Sequence, residues 1–251
     1  MFDGIGILPL LIWSLPATPL AVAAAVLDPA AMLKAADASR EAFAEGVIRV
    51  RVSAGGRRES SPGSVLDLYV QGSDRALCVF REGKQNGRKI LSVGDHVWLL
   101  VPGATRPIPV TAHQRLMGGS TFADVGSLKF GEHYTATLRT GGEEVLGVLC
   151  HVLDIKARSS EVPYASGALW LGVEDGLPRK VRLRLASGQE AKETLVIAYG
   201  NGDGKPLFKR MEVLDLLASL HGIPTTFEFL RYEAKSLDPS IFSPSGARAL
   251  P

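Results

Sequence analysis

The chain has 251 residues, 28 basic against 26 acidic side chains, a formal net charge of +2 and 46% apolar residues. Charge so evenly balanced argues against nucleic acid as the main partner, and the apolar content supplies a sizeable core. A length of this order suits one large β domain as well as two small ones.

The first 25 residues stand apart from the rest. From Ile5 to Ala25 the run "IGILPLLIWSLPATPLAVAAA" carries no charge and ends in small residues that suit an A-x-A cleavage site. About 20 apolar residues can also span a bilayer, but Pro9, Pro16 and Pro19 would interrupt such a helix. The reading is an export signal over residues 1–25, cleaved to leave a single soluble domain over 26–251 in the periplasm. An oxidising compartment makes a disulfide between Cys78 and Cys150 one alternative, and two separate buried thiols the other.

Asp28 followed by Pro29 predicts a helix start, with a capping side chain and then proline at the first helical position. Met32, Ala36 and Phe43 share a face and Gly46 supplies a stop, so a helix is expected over residues 29–45. From Val47 onward the apolar period becomes two. "VIRVRV", "VLDLYV", "RALCVF", "KILSV", "HVWLLV", "YTATLR", "EVLGVLCHVLDIK", "ALWLGVE", "RKVRLRLA", "ETLVIAYG", "FKRMEVLDL" and "TTFEFLRYE" all read as strands. Turn chemistry separates them in "QGSD", "REGKQNG", "TGGE", "SGQ" and "GNGDGKP". No helical runs intervene, so the sheet is expected to be antiparallel and joined by hairpins.

Some strands alternate cleanly. In "RKVRLRLA", Val181, Leu183 and Leu185 oppose Lys180, Arg182 and Arg184. Others are apolar on both faces: Val97, Leu99 and Val101 oppose Trp98 and Leu100, and "VLGVLCHVL" has no polar face at all. An antiparallel sheet with one wet face needs no such pattern, so a second layer or an apolar ligand must cover these strands. About a dozen twisted strands tend to curl, which predicts a strongly curved sheet around an apolar cavity. The helix and the segment at residues 111–131 are left to cover it.

Sites for chemistry are weak. His113, Ser120 and Asp124 fall close together in "HQRLMGGSTFAD", but "GGSTF" lacks the strained G-x-S-x-G turn of an activated serine. The five histidines are scattered without metal-ligand spacing. "NGDGKPLFKRME" has Lys205 and Pro206 where a calcium loop needs a ligand and a glycine.

The order of motifs resembles that of periplasmic outer-membrane lipoprotein-sorting proteins of the LolA-like family. The residues that carry it are "HVWLLVPGATRPIPVTAHQRLMGGSTFADV", "LGVLCHVLDIKA", Tyr164 with "ALWLG", "GLPRKVRL", "SGQEAKETLVIAYG" and "IFSPSGARAL". They run in order from about Val65 to the end of the chain. Between Pro102 and Val110 only Arg106 is basic, where the family carries several basic residues. The resemblance implies a mainly β fold with a few helices: a strongly curved antiparallel sheet, an unclosed half-barrel, whose apolar concave face is lidded by helices.

On that reading the protein is a soluble monomeric carrier, not an enzyme, and needs no cofactor or metal. It would hold acyl chains of a lipoprotein or lipid and move them toward the outer membrane, with an inner-membrane exporter and an outer-membrane receptor as partners. A lipid-sensing module of the same fold acting on a membrane partner is the alternative. Trp98, Leu100, Leu116, Met117, Phe122 and Trp170 are expected to bind lipid, with Gly118 and Gly119 as a lid hinge. Arg106 and Arg115 are expected to contact a headgroup or a partner, and Ser120 to cap a short helix beginning at Thr121.

Overall fold

In the computed structural model, which describes residues 27–54, 63–94, 96–110, 115–117, 120–121, 129–202, 204–217 and 222–251, the helix begins where the sequence places it. Helix α1 spans Pro29–Arg40, and the Asp28 carboxylate accepts from the Ala30 amide at 3.0 Å. Leu33 and Ala36 are its buried face. The helix ends before the expected residue 45. Phe43 has already left it to meet the Tyr232 ring edge-on at 6.4 Å. Gly46, expected as the stop, instead lies in the first strand, where an added Cβ would sit 2.3 Å from the Glu233 carbonyl oxygen.

The strands that follow are β1 (Glu45–Ala54), β2 (Ser64–Gln71), β3 (Arg75–Phe80), β4 (Lys89–Val93), β5 (His96–Leu100) and β6 (Ile108–Val110). A small hairpin of β7 (Arg115–Met117) and β8 (Ser120–Thr121) and a one-turn helix α2 (Phe130–His133) come next. Then come β9 (Tyr134–Val145), β10 (Val148–Ala157), β11 (Ser166–Gly172), β12 (Pro178–Arg184), β13 (Glu190–Gly202), β14 (Lys205–Asp215) and β15 (Thr225–Ala234). A 3₁₀ turn at Pro239–Phe242 and helix α3 (Pro244–Ala249) close the chain.

Thirteen strands make one sheet in the order β6-β5-β4-β3-β2-β1-β15-β14-β13-β12-β11-β10-β9. Every pairing in it is antiparallel. Two meanders are therefore sewn together by β1 and β15, and among the described residues β6 and β9 remain as open edges.

Connectivity demands curvature. Laid flat, twelve steps between neighbouring strands would hold the edges about 58 Å apart. The chain must pass from Val110 on one edge to Tyr134 on the other, and it folds back on itself at β7 and β8 on the way. Even with every other residue fully extended, this connection reaches only about 57 Å, so a flat sheet would leave it no slack. The sheet accordingly curls around α1, which lies close to both β9 and β14 although four strands separate them. The Lys205 ammonium donates to the Glu41 carbonyl just past the helix.

Alternation decides which side chains face inward. On the inner side, Leu33, Ala36, Phe130 and Tyr134 pack with Leu153, Ile155, Leu169 and Leu171, so α1 and α2 fill the hollow of the β9–β12 half. On the outer side, Leu77, Leu91, Trp98 and Leu100 are covered by Leu237, Phe242, Ala247 and Leu250. The second layer over "HVWLLV" is thus the chain's own C-terminal segment. Glu45 accepts from the Leu237 amide at 2.6 Å and from Gln71 at 2.8 Å, which anchors the start of that segment. Its end is held by Lys89, which donates to the Leu250 and Arg248 carbonyls, and by Arg81, which donates to the Pro251 carbonyl.

Two turn expectations exchange places. "TGGE" is not a turn but a bulge in β9: the register jumps from Leu138 opposite Leu153 to Gly142 opposite His151, and Gly141 takes φ 86°. The single strand expected through "EVLGVLCHVLDIK" is broken instead at Leu146 and Gly147, with φ 51° and 80°. Positive φ at both central residues marks a two-residue hairpin turn whose twist matches the strands. Gly147 adopts it freely, whereas Leu146 carries side-chain strain there. Replacing Leu146 with Asn should raise the unfolding free energy by about 1 kcal/mol in chemical denaturation, with an unchanged denaturant slope.

A buried carboxylate staples the outer face of β1 to β3. Asp67, whose side chain is 6% exposed, accepts from Arg49 Nε and from Arg81 Nε, each at 2.8 Å. Arg81 also donates to the Tyr69 hydroxyl at 2.9 Å. Burial pushes the Asp67 carboxyl up, but the hydrogen bonds and charges of the two arginines outweigh it and hold it below the ordinary value. Because the folded state lowers this pKa, the stabilisation is complete above about pH 4 and is lost as pH falls through the folded value. Asp67→Asn should cost about 2 kcal/mol at neutral pH and make the acid side of the stability profile shallower, as read by urea titration across pH.

Candidate functional site

Since the two helices occupy only half of the curved sheet, the hollow over β1–β4 and β13–β15 is left open as a cavity of 370 Å³. Strand register builds its walls. Phe229, Val50, Leu66 and Phe80 oppose one another across β15, β1, β2 and β3, forming one inward row. Tyr232, Ile48, Leu68, Cys78, Ile90 and Leu99 form the next. Residues between these rows point outward, and among them are Arg49, Arg51 and Asp67. The far wall is closed by Val181, Leu183, Val196 and Met211.

Polar groups gather at one end, the mouth: the turn from Gly72 to Arg75, Gly94, and Arg40 with Glu41 at the end of α1. The helices on that rim are tied together by Asp37, whose two oxygens accept from the Phe130 and Gly131 amides at 2.9 and 2.7 Å. Gly131 lets α2 lie against α1, since an added Cβ would stand 2.9 Å from Lys34 Cγ. The Arg40 guanidinium lies 5.1 Å over the Phe130 ring and 3.6 Å from Asp37. Burial lowers its pKa and the Asp37 charge opposes that shift.

Of the residues expected to bind lipid, Trp98, Leu100 and Trp170 do not line the cavity. Trp98 and Leu100 lie on the outer face under the C-terminal segment, with His96 stacked on Trp98 at 5.6 Å. Trp170 is on the outer face of the other half. Its indole donates to Glu143 at 2.8 Å and the Lys180 ammonium sits 4.8 Å above its ring. Arg106 is exposed in the link between β5 and β6, at the strand ends opposite the mouth. Arg115, Leu116 and Met117 form β7, and β8 runs close to β14. Ser120 and Thr121 belong to β8, not to a helix start. Gly118, Gly119, Phe122 and Asp124 lie outside the described residues.

No bridge joins the cysteines. Cys78 is in the cavity wall, and Cys150 is packed with Val152, Ala168 and Trp170 on the opposite face of the sheet. Burial pushes the Cys78 thiol up to about 12, so it is a small apolar wall group and not a nucleophile. Burial raises the Cys150 thiol as well.

Sequence reasoning missed most of the wall itself. Six of the nine phenylalanines line the cavity: Phe43, Phe80, Phe130, Phe208, Phe227 and Phe229. The available signal was the strands with a single apolar row, such as "VIRVRV" and "TTFEFLRYE", whose one greasy face must point into the hollow. An apolar cavity with a polar rim at one end can accept a molecule with a long apolar part and leave its polar end in water.

No curated protein matches the sequence. Among solved structures, a LolA superfamily protein from Nitrosomonas europaea superposes with a TM-score of 0.75 at 20% identity, over 87% of this chain and 99% of the other. A DUF1329 family protein from Desulfovibrio piger gives 0.75 at 17% identity, over 87% and 99%. A domain from Vibrio parahaemolyticus described as an outer membrane lipoprotein-sorting protein gives 0.74 at 17% identity, over 88% and 98%. All three share the fold of this chain, the LolA-like curved open sheet. Residues 72–246, most of the chain, match the model of a family described as uncharacterised proteins, and the chain belongs to that family, here built on the LolA-like fold.

Proposed function

We propose that the protein is a non-enzymatic carrier that holds the acyl chains of a lipoprotein or a lipid in the cavity beside α1 and α2. The observation that carries this reading is the combination of a 370 Å³ hollow, inward rows of apolar side chains and a polar rim at its mouth. Ligand cavities commonly measure about 300 to 1,000 Å³. Burying one methylene is worth about 0.8 kcal/mol, so six to eight of them inside the hollow contribute on the order of 5 kcal/mol before any headgroup contact.

The apolar run from Ile5 to Ala25 supports export, and the periplasm is where a lipoprotein or lipid would need shielding between two membranes. No helix among the described residues is long and apolar enough to cross a membrane. Cargo would arrive from an inner-membrane exporter and leave to an outer-membrane receptor, with the protein acting as a monomer. The connection from β6 to β9 runs from one sheet edge to the other, which makes it the natural cover. Within it, Leu116, Met117 and Phe122 would touch lipid, Gly118 and Gly119 would give a hinge, and Arg115 would meet the headgroup or a partner.

The test is native mass spectrometry and lipid extraction of the protein purified from the periplasm, together with titration of a fluorescent fatty acid. A bound lipid and saturable binding are expected. Ala76→Trp, which fills the cavity near its mouth, should weaken the probe by about tenfold with an unchanged melting temperature. Absence of any bound lipid together with no probe binding would sink the carrier reading.

A further inference from the structure

The cavity wall is not uniform. Along β1 and β2 it is aliphatic, with Val50, Val52, Leu66 and Leu68. Toward the mouth it becomes a ladder of rings that crosses four neighbouring segments. Tyr199 on β13 lies 5.3 Å from Phe208 on β14, and Phe208 lies 5.8 Å from Phe229 on β15. Phe229 lies 6.1 Å from Tyr232, their planes within 13° of parallel, and Tyr232 meets Phe43 beyond α1 at 6.4 Å.

The two tyrosines of the ladder are held in place through their hydroxyls. Tyr199 donates to the Pro178 carbonyl at 2.7 Å, and Tyr232 donates to the Phe208 carbonyl at 2.6 Å. The Arg179 guanidinium lies 5.1 Å over Tyr199. Burial raises both phenols above their ordinary pKa, so neither offers a charge to a ligand. Phe43, Phe208, Phe229 and Tyr232 line the cavity, and all four are only partly buried by the protein itself. What they offer is π surface.

Resting on the carrier reading above, we infer that the ligand is an acyl chain bearing a conjugated or aromatic segment, recognised by this ladder, and not a fully saturated chain. A saturated chain gains from burial in proportion to its area, whatever lines the wall. A flat π segment gains an additional, geometry-dependent attraction from fixed rings at its side. A ladder whose two tyrosines are fixed by hydrogen bonds has already lost part of the freedom that a flexible aliphatic wall would lose on binding. Simple area burial predicts the opposite preference, because unsaturation makes a chain less hydrophobic.

The experiment compares cis-parinaric acid, a conjugated tetraene, with stearic acid, the saturated acid of the same length, by calorimetric titration of the wild-type protein. The conjugated acid should bind about five- to tenfold more tightly. In Phe208→Leu/Phe229→Leu, which keeps the wall apolar, that ratio should fall to about one. Phe229→Leu alone, the milder change, should lower the ratio partway. Equal binding of the two acids to the wild type would overturn this inference and leave the carrier reading standing. Failure of both acids to bind would overturn the carrier reading, and this inference with it.

Discussion

The pairing of β1 with β15 is the contact on which everything else depends. It joins strands whose residues are far apart in sequence, Val47 opposite Glu233 and Val52 opposite Phe227. Without it the chain would form two separate meanders, each with two open edges and neither curved enough to enclose a hollow. Closing so long a loop is entropically expensive and slow, since the many local hairpins can form first while this one pairing must wait for them. The first cavity row, from Phe229 through Val50 to Leu66, exists only once that pairing is made.

Given the joined sheet, the two ends of the chain do opposite jobs. The N-terminal helix enters the concavity and fills half of it, and the C-terminal segment lies along the outside of the other half. Strands β3–β5 are thereby covered on the outer face and β9–β12 on the inner. The hollow is what remains uncovered on the inside. A hollow of this size is an exception to the close packing of protein interiors. The wall is nevertheless held open by the sheet's own hydrogen bonds and by charged staples such as Asp67 with Arg49 and Arg81 on the outside. Placing the polar contacts outside and the apolar rows inside lets the wall be rigid without putting hydrogen-bonding groups where an apolar guest would sit.

Much of this was legible in the sequence. The period of two marked "RALCVF" and "KILSV" residue for residue, and strands apolar on both faces correctly announced a second layer. The inference went astray at the next step, because the cover over Trp98 and Leu100 is "IFSPSGARAL", a segment far along the chain that only the folded topology brings back. Turn chemistry misled where it was ambiguous. The two glycines of "TGGE" relieve a bulge, while the actual turn uses a leucine that no propensity would place there. The helix length was overestimated because Phe43 kept the helical spacing after the backbone had already turned toward β1. Cavity residues escaped notice because a row of Ile and Val alternating with Arg looks like any half-solvated strand. Only the curvature of the sheet converts such a row into the inside of a vessel.

The bulge in β9 carries a consequence of a different kind. An open sheet leaves a row of unpaired backbone groups on each edge, and β9 is the longer of the two edges, a natural template for strands of other molecules. Three residues of β9 stand opposite Val152 alone, which bends the strand and breaks the regular spacing that an incoming strand would need. Arg139, inside that bend, is occupied by Asp154 and Glu143, so charge as well as shape faces an approaching edge. The fold can therefore stay open without inviting fibre-like addition.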